Sequence, residues 1–280
     1  MPMSKNATNI LPQNAHAGTE TWLLVVHAAA TVLTKTSIIE HSLINAYMMP
    51  NRLTSPLLLT LAALLAAVVI LSPVHVVAEF IQIAPANTTN GYLARLLISE
   101  TPFPGERSYK SESDTKAAML QVLWVLYSRI HHIPDKYSQW QVAGVSSSDI
   151  IDVITGTGGR PQCKGFSRDK QGRFVVTPRV EERLNYLLQI ANKGSQPGRF
   201  ANLLNYAQGL ANAYLKGEIE EADRYADLKY VGSIRVTGRA YSWMTDLDIY
   251  NPGGNFVSIP SAYDGALGGN RFFTLRKNPQ

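Results

Sequence analysis

One segment limits the folds open to this chain more than any other. From Ala117 to Ile130 the side chains Ala117, Leu120, Val122, Leu123, Trp124, Leu126, Tyr127 and Ile130 put a broad apolar surface at helical spacing. So wide a surface must be covered on most of its sides, which predicts a central core helix with other helices packed against it. Ser111 and Asp114 stand ahead of it at capping-box spacing, with a short acid in place of Glu. His131-His132, with Pro134 beyond, mark its end.

The flanking chain extends this plan. Thr88, Thr89 and Asn90 can cap a helix that runs to Ser99, and the run Thr101-Pro-Phe-Pro-Gly105 stops it. Residues 149–154 read as a short helical piece, and the glycine-rich stretch 156–159 as a loop that lacks the lysine of a phosphate-binding loop. Residues 162–166 and 169–173 read as a loop or hairpin. Pro178 opens a helix through Ala191, and another carries Phe200, Leu203, Leu204, Ala207, Leu210, Ala211 and Tyr214 up to Gly217. After Tyr225 the chain turns to Val, Ile, Tyr and Gly, with Gly253-Gly254 and Gly268-Gly269 near the end. The expected fold is mainly α (α+β): one domain over residues 79–280, helical, with a loop-rich C-terminal lobe of short strands.

The region before Glu79 differs in character. Residues 57–71 are apolar apart from Thr60, Arg52 lies upstream, Pro73 breaks the run, and Val76-Val77-Ala78 offers small residues for cleavage. Residues 48–78 therefore read as a signal peptide, since the core is short for a bilayer span of about 20 residues; a membrane anchor and a buried core helix are the competing readings. Residues 1–47 read as a disordered leader or over-extended start. The expected localisation is export to periplasm, cell wall or exterior, with membrane contact only through this segment.

Composition narrows the chemistry. The 280 residues carry a formal net charge of +5 without a nucleic-acid motif, a balance suited to work near an anionic polymer. Cys163 is the sole cysteine, so no internal disulfide forms. After the leader only His131 and His132 remain, adjacent on a helix and pointing about 100° apart. They supply neither a three-ligand metal site nor, lying before Cys163 in sequence, the usual order of a wall cysteine peptidase. No metal or other cofactor is expected. What remains is carboxylate chemistry.

Glu100 is the candidate. It ends an apolar helix just before a helix-stopping loop, where a cleft wall would stand. There it would lose solvation, its pKa would rise, and it could hold a proton for a leaving group near neutral pH. The plain alternative is an ordinary glutamate at a helix end.

A family likeness adds to this reading. The stretch Leu93-Ala-Arg-Leu-Leu-Ile-Ser-Glu100, followed by an apolar helix ending Ser128-Arg129-Ile130, resembles the spore-cortex-lytic (SleB-type) cell-wall hydrolases. So, in the same order, do Gln162-Cys-Lys-Gly-Phe166, the helix around Ala207 to Tyr214, Gly238-Arg-Ala-Tyr-Ser-Trp243 with Asn251-Pro252, and Gly268-Gly-Asn-Arg-Phe-Phe273. The resemblance implies a lysozyme-like fold and cleavage of the β-1,4 link between N-acetylmuramic acid and N-acetylglucosamine in peptidoglycan, with Glu100 at the family's catalytic glutamate. On that expectation Tyr206, Tyr241 and Trp243 stack on or hydrogen-bond the glycan, and Gln162 and Asn270 contact acetamido groups. Asp114, Asp149 and Asp152 are candidates for a second carboxylate. A single glutamate suffices if the muramic 6-hydroxyl attacks and gives a 1,6-anhydro product, as in a lytic transglycosylase. The loop over 101–113 and the region over 217–238 are longer than in the family and bear on substrate range. The other classes left open are an exported wall-binding domain without catalysis and a peptidase or amidase using Cys163.

Overall fold

Local chemistry sets the helix boundaries. The computed structural model describes residues 80–156, 162–193, 198–245 and 253–279. The expected leader and signal segments 1–47 and 48–78, residues 157–159 of the glycine-rich stretch, and Asn251-Pro252 lie outside them. In chain order the elements are α1 (Thr89–Ser99), α2 (Glu112–His131), α3 (Gln139–Ala143), α4 (Ile150–Thr155), β1 (Phe166–Arg168), β2 (Phe174–Val176), α5 (Pro178–Ala191), α6 (Arg199–Lys216), β3 (Tyr230–Val231), β4 (Ile234–Arg235), β5 (Ser242–Met244), β6 (Phe256–Ser258), a 3₁₀ turn (Ser261–Tyr263), β7 (Ala266–Leu267) and β8 (Asn270–Leu275). Thr88 caps α1 through its side chain, Pro178 begins α5, and Gly217 ends α6 in the left-handed conformation. Ser111 caps α2, but Asp114 does not complete the box: its carboxylate accepts from Gly268 N at 2.9 Å instead.

The result is a mixed α+β fold, mostly helical with small antiparallel sheets. The most enclosed helix is α1, not the expected α2. Every residue from Gly91 to Ile98 is buried, because α1 is apolar nearly all round, whereas α2 leaves Trp124, Tyr127 and Ile130 partly open to solvent. Arg95, the charge inside α1, is satisfied by Glu181 at 2.6 Å and by the carbonyls of Ala84 and Gly91. Tyr92 donates to Ser167 O at 3.0 Å, tying α1 to the β1–β2 hairpin.

Strands β3 and β4 pair as a second antiparallel hairpin, and the remaining strands build a third sheet, in the order β5-β8-β6 with β7 also on β8, all antiparallel. Gly268-Gly269 make the two-residue turn from β7 to β8, both at positive φ as such a turn demands. A side chain on Gly268 would meet Ala118 Cβ at 2.6 Å, and one on Gly269 would meet Ser108 Cβ at 2.8 Å. The turn thus presses on α2 and on the loop after α1.

Candidate active site

Two structural rules bring the site together. Glu100 is the C-cap of α1, so its carboxyl stands at the negative end of a buried helix, where a second negative charge is disfavoured. In the late sheet Trp243 lies opposite Phe272, and Asn270 is two residues before Phe272 on the same strand. Residues opposite or two apart share a face, so Trp243 and Asn270 emerge together. Both reach Glu100. Trp243 Nε1 donates to its carboxylate at 2.9 Å, and Asn270 Nδ2 donates to its backbone carbonyl at 2.6 Å.

Glu100 lines a cavity of about 720 Å³, shared with Glu106, Lys164, Arg179, Arg183 and Asn270 among others. Part of the residue still meets solvent. Burial raises the carboxyl pKa above the ordinary value; the Trp243 indole and the positive charge of Arg183 pull the other way without cancelling it. The site therefore offers a carboxyl biased toward its protonated form, touching a void that a ligand can enter.

The loop after α1 is fixed by charge. Phe103-Pro104-Gly105-Glu106 closes as a turn, with Glu106 N donating to Phe103 O at 3.0 Å and Gly105 at φ +87°. Arg183 of α5 grips Glu106 with two guanidinium nitrogens, at 2.8 and 2.6 Å, and also donates to the carbonyls of Ile98 and Thr101. One side chain thus satisfies the end of α1 and holds the loop shut against it. Behind Trp243, the buried Arg129 guanidinium sits 5.4 Å from the indole centroid and donates to Tyr241 O at 2.7 Å.

The other expected site residues are placed as follows. Tyr241 is enclosed; its hydroxyl donates to His132 O at 2.7 Å, and burial pushes its pKa up to about 12. Tyr206 turns its hydroxyl toward Glu221, 3.4 Å from each carboxylate oxygen, and lies under Lys116. Gln162 is exposed, its amide against Gly144. None of these three lines the cavity. Of the expected second carboxylates, Asp114 serves the glycine turn, and Asp149 and Asp152 both pair with Arg168. The acid that does share the cavity with Glu100 is Glu106, and both of its oxygens are taken.

Cys163 is buried, and its thiol is pushed far up, first by burial and then by the charge of Glu100. Burial of this kind disfavours the thiolate that a nucleophilic role would need. His131 and His132 finish α2 against Tyr127 and do not line the cavity.

Arg183 and Glu106 were not among the sequence candidates. Glu106 ends the Pro-Phe-Pro-Gly loop, and Arg183 lies one helical turn beyond Arg179. Neither stands in a motif, and only the packing of α5 beside α1 joins them. In comparisons with family models, curated proteins and solved structures, nothing matches this chain.

Proposed function

We propose that this chain cleaves the glycan strands of peptidoglycan, with Glu100 as general acid and then base. The observation that carries the reading is the Glu100 carboxyl: raised in pKa by burial, held by the Trp243 indole, and set in the wall of a ligand-sized cavity. On this reading the helical fold is lysozyme-like, the enzyme is exported to the wall by its N-terminal segment, and it belongs with the spore-cortex-lytic hydrolases. Convergence supports that kinship. Pieces of the likeness far apart in sequence, carrying Glu100, Arg129, Trp243 and Asn270, meet in one cluster.

The carboxylate inventory favours the anhydro-forming route. Hydrolysis by two acids needs a second carboxylate about 5 to 10 Å away and free to work on water or sugar. Glu106 is bound on both oxygens to Arg183, which suits it to fixing the loop rather than to attack. Protonated Glu100 would give its proton to the leaving glycosidic oxygen. It would then take the proton of the muramic 6-hydroxyl as that oxygen closes on the anomeric carbon, and the glutamate ends the cycle protonated again.

The test is kinetic. Purified full-length chain should clear a suspension of isolated peptidoglycan, and Glu100→Gln should slow it by about 10²- to 10⁴-fold, the usual worth of a positioned general acid. Equal clearance by both proteins rules out this role for Glu100.

A further inference from the structure

The cavity beside Glu100 holds charges that no described group answers. Lys164 and Arg179 both line it, both are exposed, and neither joins a described hydrogen bond or ion pair. The neighbouring acid, Glu106, is already committed to Arg183. Arg179 stands in the first turn of α5, a helix of 14 residues whose cap, Thr177, makes no side-chain capping bond. Thr177 and Val180 line the same wall, so the positive end of α5 adds to the two side chains. Gly165, at φ +95°, lets the loop carrying Lys164 come close: a side chain there would meet Val180 at 2.9 Å and Thr177 at 3.0 Å.

A second, independent feature sits in this cavity. Asn270 is fully enclosed, and while its amide nitrogen serves Glu100, its Oδ1 has no donor among the described residues. A buried acceptor without a donor is rare in folded proteins and points to a partner that arrives with the ligand. The cavity therefore offers cationic groups for carboxylates together with an acceptor for an N–H. A neutral sugar chain needs only the second of these.

We propose that the Glu100 cavity selects glycan strands bearing acidic peptide substituents, with Lys164, Arg179 and the start of α5 receiving the peptide carboxylates and Asn270 Oδ1 receiving an N–H of the amino sugar. This rests on the glycan-cleaving reading above. Each exposed charge contact is expected to tighten binding by about two- to fivefold, and the effect is weakened by added salt.

The experiment measures binding rather than turnover. Full-length Glu100→Gln protein is titrated with a soluble disaccharide-peptide and with the same disaccharide carrying a methyl amide on its lactyl carboxyl in place of the peptide, so that the control has no carboxylate. The peptide form should bind about five- to tenfold more tightly at low salt, and K164Q/R179Q in the same background should bring the two affinities within about twofold. Equal affinities in the parent, or a preference that survives K164Q/R179Q, overturn the proposal. If neither sugar binds and the unaltered chain leaves peptidoglycan uncut, the glycan reading itself falls, a result distinct from equal binding of the two forms.

Discussion

At the scale of single residues, the proposed chemistry turns on where Glu100 keeps its proton. Burial holds its pKa above the ordinary carboxylate value. Between those two values the folded chain retains a proton that the unfolded chain has released, so stability falls as pH rises through that window. Glu100→Gln has no proton to lose, and its amide oxygen can still accept from Trp243. Its melting temperature should match the parent at about pH 4 and exceed it at about pH 8, which calorimetry at both values will check. The same shift at both pH values would contradict the raised pKa. Trp243→Phe removes the indole donor that favours the carboxylate form. The pKa of Glu100 should climb further, and the alkaline limb of the pH–rate profile should move to higher pH. A limb that stays put, or moves down, would separate Trp243 from the titration of Glu100.

At the scale of elements, two devices hold the site. The Glu106–Arg183 pair ties the loop after α1 to α5 and is partly exposed. Glu106→Gln should therefore cost stability by only about 1 kcal/mol in urea unfolding, while lowering the cleavage rate through looser placement of Glu100. The β7–β8 turn is less forgiving. Gly268→Ala forces a side chain at positive φ into Ala118 and should cost about 1–3 kcal/mol by the same measurement. Helices were largely legible in the sequence, because Thr88, Ser111, Pro178 and Gly217 act locally as caps and stops. The burial order of α1 and α2 was not, since it depends on which helix its neighbours enclose. Short helix α3 also escaped the reading: its capping box at Ser138 and Gln141 lies in five helical residues with too little periodicity to notice.

At the scale of the whole molecule, distant segments are joined by a few buried polar hubs. Asp223 accepts from Gln121 Nε2, Tyr225 N and Arg239, and so ties α2 to the chain that leads into β5. Asp223→Ala leaves these donors unpaired in the interior and should destabilise the fold by about 3–5 kcal/mol in chemical denaturation. A loss below about 1 kcal/mol would show the hub to be dispensable. The site has the same long-range character, and this explains how far the sequence could reveal it. Glu100, Trp243 and Asn270 stood out because each lies in a recognisable stretch, and the fold brings all three together. Tyr206, Tyr241 and Gln162 lie in such stretches too, yet their side chains point into other contacts. A motif fixes which residue is present, whereas packing decides where its side chain goes. Glu106 and Arg183 show the converse, since they meet at the cavity with no motif to announce them.

Glycan cleavage by a protonated Glu100 is the proposal on which the other activity predictions depend. Its most direct test is mass spectrometry of the products released when the purified chain is incubated with peptidoglycan, beside Glu100→Gln. The parent should release 1,6-anhydro-muropeptides and the variant none. Severed stem peptides on intact glycan, or the same anhydro products from both proteins, would contradict the proposal.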